Sequence, residues 1–135
     1  MITEDYVSFE TAKLLKEKGF NEFTYSYYSK DDEESEPKLC METLCSDNWN
    51  GVPEEVNDLW FSAPTIQMAM KWLREKEWFI CIIPLAFYCG EKAVKFGYNI
   101  WAGDNLEIDE SSTPEFNTYE EACEAAIKYC LENLI

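Results

Sequence analysis

Histidine is absent from the 135-residue chain. That removes every Ser-His-Asp and Cys-His catalytic arrangement, and every zinc site built on imidazole. Basic residues are scarce: 11 Lys and Arg stand against 27 Asp and Glu, a formal charge of −16. Phosphate contacts need clustered Lys and Arg, so this balance argues against a nucleic-acid binder. The five glycines, Gly19, Gly51, Gly90, Gly97 and Gly103, never fall into G-x-G-x-x-G or G-x-x-x-x-G-K, so no standard phosphate-cradling loop is expected. Long apolar runs are missing too. The longest, Trp78 to Tyr88, has eleven residues and contains Pro84, short of the roughly 18 a membrane helix needs. Met1 to Asp5 carries acid where a signal peptide carries positive charge, and no apolar stretch follows it. These features predict a cytoplasmic protein without a membrane partner.

Six cysteines are present: Cys40, Cys45, Cys81, Cys89, Cys123 and Cys130. None has the C-x-x-C spacing of a redox or zinc knuckle, and a reducing cytoplasm keeps thiols free. They are read as small buried hydrophobes. No cofactor and no metal are expected.

What is present suits one packed core. Apolar residues make up 47% and aromatics 16%, and the length predicts a single domain over 1–135. A first helix is predicted from Ser8 to Gly19, with Ser8 as cap, an apolar stripe of Phe9, Ala12 and Leu15, and Gly19 supplying the left-handed end. Phe23 to Tyr28 alternates large aromatic and small polar residues, the period of a strand with one buried face. Lys30 to Glu36 holds five acids in seven residues and reads as a solvated hairpin loop. Lys38 to Leu44 is the returning strand. Turn formers then lead into an irregular stretch to Phe61, which Trp49, Trp60 and Phe61 pin down.

A second helix is predicted with Ser62 as cap, Pro64 in the first turn, and the stripe Ile66, Ala69, Met70 and Leu73. Trp78 to Ile83 is apolar on both faces and reads as a strand in the middle of a sheet. It forms a long hairpin with Val94 to Ala102, with Pro84 at a bulge or edge position. Thr118-Tyr119-Glu120-Glu121 is a capping box that opens the last helix. No internal repeat is evident. The expected fold is α+β: three helices on a mostly antiparallel sheet of about four strands, in the order α-β-β-α-β-β-α.

Three blocks, Tyr6 to Phe20, Ser62 to Lys76 and Tyr119 to Ile135, resemble in the same order small proteins encoded by gut Bacteroidetes and their phages. A histidine often follows the Trp-Leu-Arg-Glu block in that group, whereas Glu77 and Trp78 stand here. The resemblance implies a phage or mobile-element setting. It assigns no catalytic residue, because the group has no established activity.

Catalysis has little to stand on. Asp104, Glu107, Asp109 and Glu110 are the densest carboxylate cluster, but the segment reads as a solvated loop, and Leu106 and Ile108 break the calcium-loop pattern. Cys123 lies on an apolar helix face with no histidine to activate it. Charge is the more informative signal. Phe96 to Ile127 contains eight acids and no base, and Asp31 to Met70 contains ten acids and only Lys38. A lopsided field steers a cationic partner. The expected function is therefore non-enzymatic: binding of another protein with a basic surface, through Tyr25, Tyr27, Tyr28, Asp31, Asp32, Glu33, Glu34, Trp49 and Trp60. A sharper variant makes the acids of Phe96 to Ile127 a nucleic-acid mimic. The alternative is a carboxylate-based enzyme of unknown substrate, with or without a divalent metal.

Overall fold

The structure is a computed structural model of the whole chain. It describes residues 1–53, 55, 58–103 and 107–135, with the side chains of 87–89, 91–92 and 107–109 left aside. The chain divides into two compact units, Met1–Thr65 with Ile135, and Ile66–Leu134.

The first unit is one helix and a three-stranded sheet. Helix α1 spans Phe9–Glu17. Ser8 Oγ accepts the Thr11 N–H at 3.2 Å, and Thr11, Ala12 and Leu15 are buried. Strands β1 (Ser26–Ser29), β2 (Lys38–Met41) and β3 (Trp60–Ser62) pair antiparallel in the order β2-β1-β3. The acidic loop joins β1 to β2, as its charge predicts. Strand β3 falls in the stretch expected to be irregular. Ser62 belongs to this strand and does not cap the second helix.

The alternation of Phe23 to Tyr28 does mark a two-sided strand, but its buried face is the small one. Thr24 and Ser26 are buried, whereas Phe23 and Tyr25 are exposed. Thr24 Oγ1 donates to Ser26 O at 2.7 Å, which satisfies a hydroxyl that burial would otherwise leave unpaired.

The second unit opens with α2 (Ile66–Glu75), whose Ile66, Ala69, Met70, Trp72 and Leu73 are buried. Strands β4 (Trp78–Cys89) and β5 (Glu91–Ala102) form a hairpin with twelve residues in each arm around Gly90, at φ 89°. Strand β6 (Glu107–Ser111) pairs with β5, giving the order β4-β5-β6. Helix α3 (Tyr119–Tyr129) follows and continues as a π-helical segment, Cys130–Leu134. Thr118 Oγ1 accepts the Glu121 N–H, and Glu121 Oε2 reaches back to the Asn117 N–H, one residue before the cap.

The fold is thus α+β, as expected, with two three-stranded antiparallel sheets in place of one sheet of about four strands. The order is α-β-β-β-α-β-β-β-α. Two further expectations change. β4 lies at an edge of its sheet, not in the middle, which is where Pro84 is tolerated. The acid-rich segment read as a solvated loop forms β6, because backbone pairing to β5 outweighs its side-chain charge.

A short repeat also emerges. Lys13-Leu14-Leu15-Lys16-Glu17-Lys18-Gly19-Phe20 aligns without gaps with Lys71-Trp72-Leu73-Arg74-Glu75-Lys76-Glu77-Trp78, with four of the eight positions identical. The two segments end their helices alike. Gly19 N donates to Lys16 O and Glu77 N to Arg74 O, with Gly19 at φ 88° and Glu77 at φ 67°. The sheets that follow differ in strand order, so the repeat is confined to the helix and its stop.

Candidate functional site

Strand β1 carries two different surfaces, because successive side chains point to opposite faces. On one face, Tyr28 turns toward α1. Its hydroxyl donates to Val7 O at 2.6 Å, and its ring meets Phe9 edge-on at 5.7 Å. On the other face, Tyr27 stacks on Trp49 with ring centroids 4.2 Å apart, and Trp60 closes the cluster at 5.7 Å from Tyr27 and 6.0 Å from Trp49.

This cluster is anchored. Trp49 Nε1 donates to Thr24 O at 2.8 Å. Asn50 ties the same turn down twice, donating to Phe20 O and accepting the Ser62 N–H. Burial pushes the Tyr27 phenol above its ordinary value, helped by Cys40 and Glu42. Trp49 therefore pins the long connection, as its sequence position suggests. Tyr25 lies on the same face by alternation and stays exposed.

The residues singled out by sequence are thus only partly brought together. Tyr27, Trp49 and Trp60 form one cluster with Tyr25 on its face, and Tyr28 belongs to the opposite side. Asp31, Asp32, Glu33 and Glu34 are exposed in the loop. Asp32 is held below the ordinary carboxylate range by hydrogen bonds from the Ser35 hydroxyl and the Glu34 N–H, at 2.8 and 2.9 Å.

Sequence reasoning placed the returning strand at β2 but named none of its residues as a binding surface. The strand pairs with β1 on one side only. Register sets Leu39 opposite Tyr28 and Met41 opposite Ser26, on the helix side of the sheet. Yet both are exposed, at 40% and 54%, as is Leu44 beyond the strand. The signal was available: Lys38-Leu39-Cys40-Met41 is an apolar strand bracketed by Asp31 to Glu36 before it and Glu42 after it.

A second feature lies at the other end of β1. A cavity of about 500 Å³ is lined by Phe9, Lys13, Lys16, Glu17, Lys30, Glu33, Asp58 and Phe61. Lys16 Nζ sits 4.5 Å over the Phe61 ring and donates to Trp60 O, and burial holds its ammonium below the ordinary lysine range despite Asp58 nearby. Lys30 Nζ lies 5.9 Å from the Phe9 ring and donates to Glu33 O. Three cations here face three carboxylates, so the wall carries no net charge.

Elsewhere the expected chemistry does not assemble. Among the described residues no group of three or more His, Cys, Asp or Glu side chains is placed to hold a metal ion. Asp104 lies outside the described residues, as do the side chains of Glu107 and Asp109. Glu110 accepts a hydrogen bond from the Tyr129 hydroxyl at 2.8 Å. Among the described residues, Cys40, Cys45, Cys81, Cys123 and Cys130 are free thiols. Cys123 and Cys130 are buried as expected, and burial pushes the Cys123 thiol up to about 11. Cys45 and Cys81 are exposed, so they are not the buried hydrophobes expected of them. No helix among the described residues is long and apolar enough to cross a membrane. Comparison with protein-family models, curated proteins and solved structures gives no match.

Proposed function

We propose that the first unit binds a partner protein by adding an extended, basic segment of that partner to the outer side of β2. One observation carries this reading: an edge strand with exposed Leu39 and Met41 stands between six acids, Asp31, Asp32, Glu33, Glu34, Glu36 and Glu42. Main-chain pairing supplies affinity in strand addition, and alternate side chains supply choice. A segment alternating apolar with Lys or Arg satisfies both the uncovered side chains and the acids. The clustered rings of Tyr27, Trp49 and Trp60 hold the sheet rigid behind this edge, so little ordering entropy is lost on docking. The resemblance of the three blocks to Bacteroidetes and phage proteins supports a partner of host origin.

The test uses a fluorescent peptide of alternating lysine and valine, read by anisotropy at low and high salt. Saturable binding that weakens with salt, and weakens again in Leu39→Ser and Met41→Ser, is the expected result. Equal binding of a lysine–glycine peptide, or no binding at low salt, refutes the reading.

The 500 Å³ cavity favours a second reading, a small-molecule site using Glu17, Glu33 and Asp58 beside the lysines. A thermal-shift screen with divalent metals and nucleotides decides it, since a ligand at a hundred times its dissociation constant adds about 2.7 kcal/mol.

A further inference from the structure

Among the described residues no strand pairs with the outer side of β4, which gives a second free edge, of a different character. β4 is an edge strand of its sheet, and none of its twelve residues is charged. Natural edge strands are usually kept short, charged or covered, because a long apolar edge is a template for further pairing.

The side chains of β4 repeat the message. Register sets Ile80 and Ile82 opposite Ile100 and Tyr98, which are buried on the covered side of the sheet. The alternate residues Phe79, Cys81, Ile83 and Leu85 line the other side, opposite Trp101, Asn99, Gly97 and Lys95. Cys81 is exposed, and Leu85 is 45% exposed.

The sequence of this edge selects its occupant. Phe79-Ile80-Cys81-Ile82-Ile83 reads nearly the same in both directions about Cys81. Antiparallel pairing with itself, on a two-fold axis through Cys81, sets Ile80 against Ile82 and Phe79 against Ile83. These are the β-branched and aromatic–β-branched pairs that stabilise neighbouring strands. Pro84 has no N–H to give, so it bounds the pairing at that end. A two-fold interface needs a self-complementary patch, and an uncharged, near-palindromic strand is one.

We propose that β4 is an interface between two copies of this chain, joined edge to edge into a six-stranded sheet, β6-β5-β4 followed by the partner's β4-β5-β6. This surface is separate from the β2 edge, and salt tells the two apart. Each copy carries −16 charges, so their mutual repulsion is screened as salt rises and the dimer tightens. Binding of a basic segment at β2 weakens under the same change.

The experiment is light scattering on the full chain up to about 1 mM, where even a contact with a millimolar dissociation constant is half formed. The expected result is a mass approaching twice the 15.8 kDa of the chain, with tighter association at high salt. Oxidation should join the copies through Cys81, located by peptide mass, since directly opposed strand residues lie within disulfide reach. Cys81→Lys sets like charges against each other on the axis and should weaken association about tenfold or more, with unchanged circular dichroism and, at concentrations where the parent is monomeric, an unchanged melting temperature. Cys81→Ser should still dimerise. A monomer at every concentration and salt overturns the proposal. So does a Cys81→Lys variant that dimerises like the parent, or oxidation that links the copies through Cys40 or Cys45 and not Cys81.

Discussion

Glu77 offers a sharp test of how the helix stop in the second unit works. It is the one non-glycine residue at positive φ among the described residues, at φ 67°. An L side chain there costs about 1–2 kcal/mol against right-handed backbone. Gly19 occupies the matching position after α1 without that cost. Glu77→Gly removes the strain but frees the unfolded chain, which returns about 0.4–1 kcal/mol. The net expectation is a gain of roughly 0.5–1 kcal/mol.

The neighbour of Glu77 sets up a cycle. A Cβ built on Gly103 would land on Glu77 Cβ and lie 2.8 Å from Glu77 O and 3.1 Å from Glu77 Cα. Gly103→Ala must therefore push apart the Trp78–Ala102 end of the hairpin, at an overpacking cost of about 1–3 kcal/mol. In the Glu77→Gly background the nearest atom is gone while the backbone oxygen remains. The cost of Gly103→Ala should fall by about 1 kcal/mol without vanishing, within the range for touching residues. Urea unfolding followed by tryptophan fluorescence reads all four proteins. With a slope of about 2 kcal/mol/M, each kcal/mol moves the midpoint by about 0.5 M. A lower midpoint for Glu77→Gly, or additivity within about 0.3 kcal/mol, refutes the account. Gly19→Ala calibrates it: nothing lies within 4 Å of a Cβ there, so its loss of about 1 kcal/mol is conformational alone.

Three further outcomes are expected. Ser62 Oγ is buried and has no hydrogen-bond partner among the described residues, so Ser62→Ala should raise stability by about 1 kcal/mol in the same urea assay. Thr118→Ala removes the cap of α3 and should cost about 1 kcal/mol, with Thr118→Ser restoring most of it. Cys123 keeps its proton in the folded state up to about 11, above its unfolded value. Its contribution to stability is therefore full below about pH 9 and is lost as pH rises through about 11. Unfolding midpoints should fall across that alkaline window, less steeply in Cys123→Ala, and alkylation at pH 8 should mark Cys45 and Cys81 before Cys123 and Cys130.

The helices were legible because their information is local. Ser8, Gly19 and Thr118 each act within one turn, and the buried stripe of α2 follows the 3.6-residue period. The sheets were legible only in part. The three residues of β3 are too few to show a period, and acids disguise β6, whose pairing to β5 is non-local. Around the candidate site the inversion of β1 was hidden for the same reason. Alternation marks two faces but does not say which one will be covered, and here Thr24 and Ser26 are buried while Phe23 and Tyr25 are left outside.

The misreading of β4 differs in kind from these. A long uncharged apolar strand ordinarily lies inside a sheet, paired on both edges, because at an edge it is a template for further pairing, and the composition of Trp78 to Ile83 fits that rule. Its place in the single chain, with β5 on one side only, does not. Local preference and global position normally agree in a natural sequence, so the conflict points to a missing neighbour. A second copy on the free side returns β4 to the middle of a sheet, where its composition says it belongs. The β2 edge shows no such conflict: it is four residues long, starts at Lys38 and is flanked by acids. Those features guard an edge against a second acidic copy of this chain, while the acids still attract the basic segment proposed for β2. Salt should therefore move the two associations in opposite directions within one protein, and a common direction would mean that one edge has been assigned the wrong occupant.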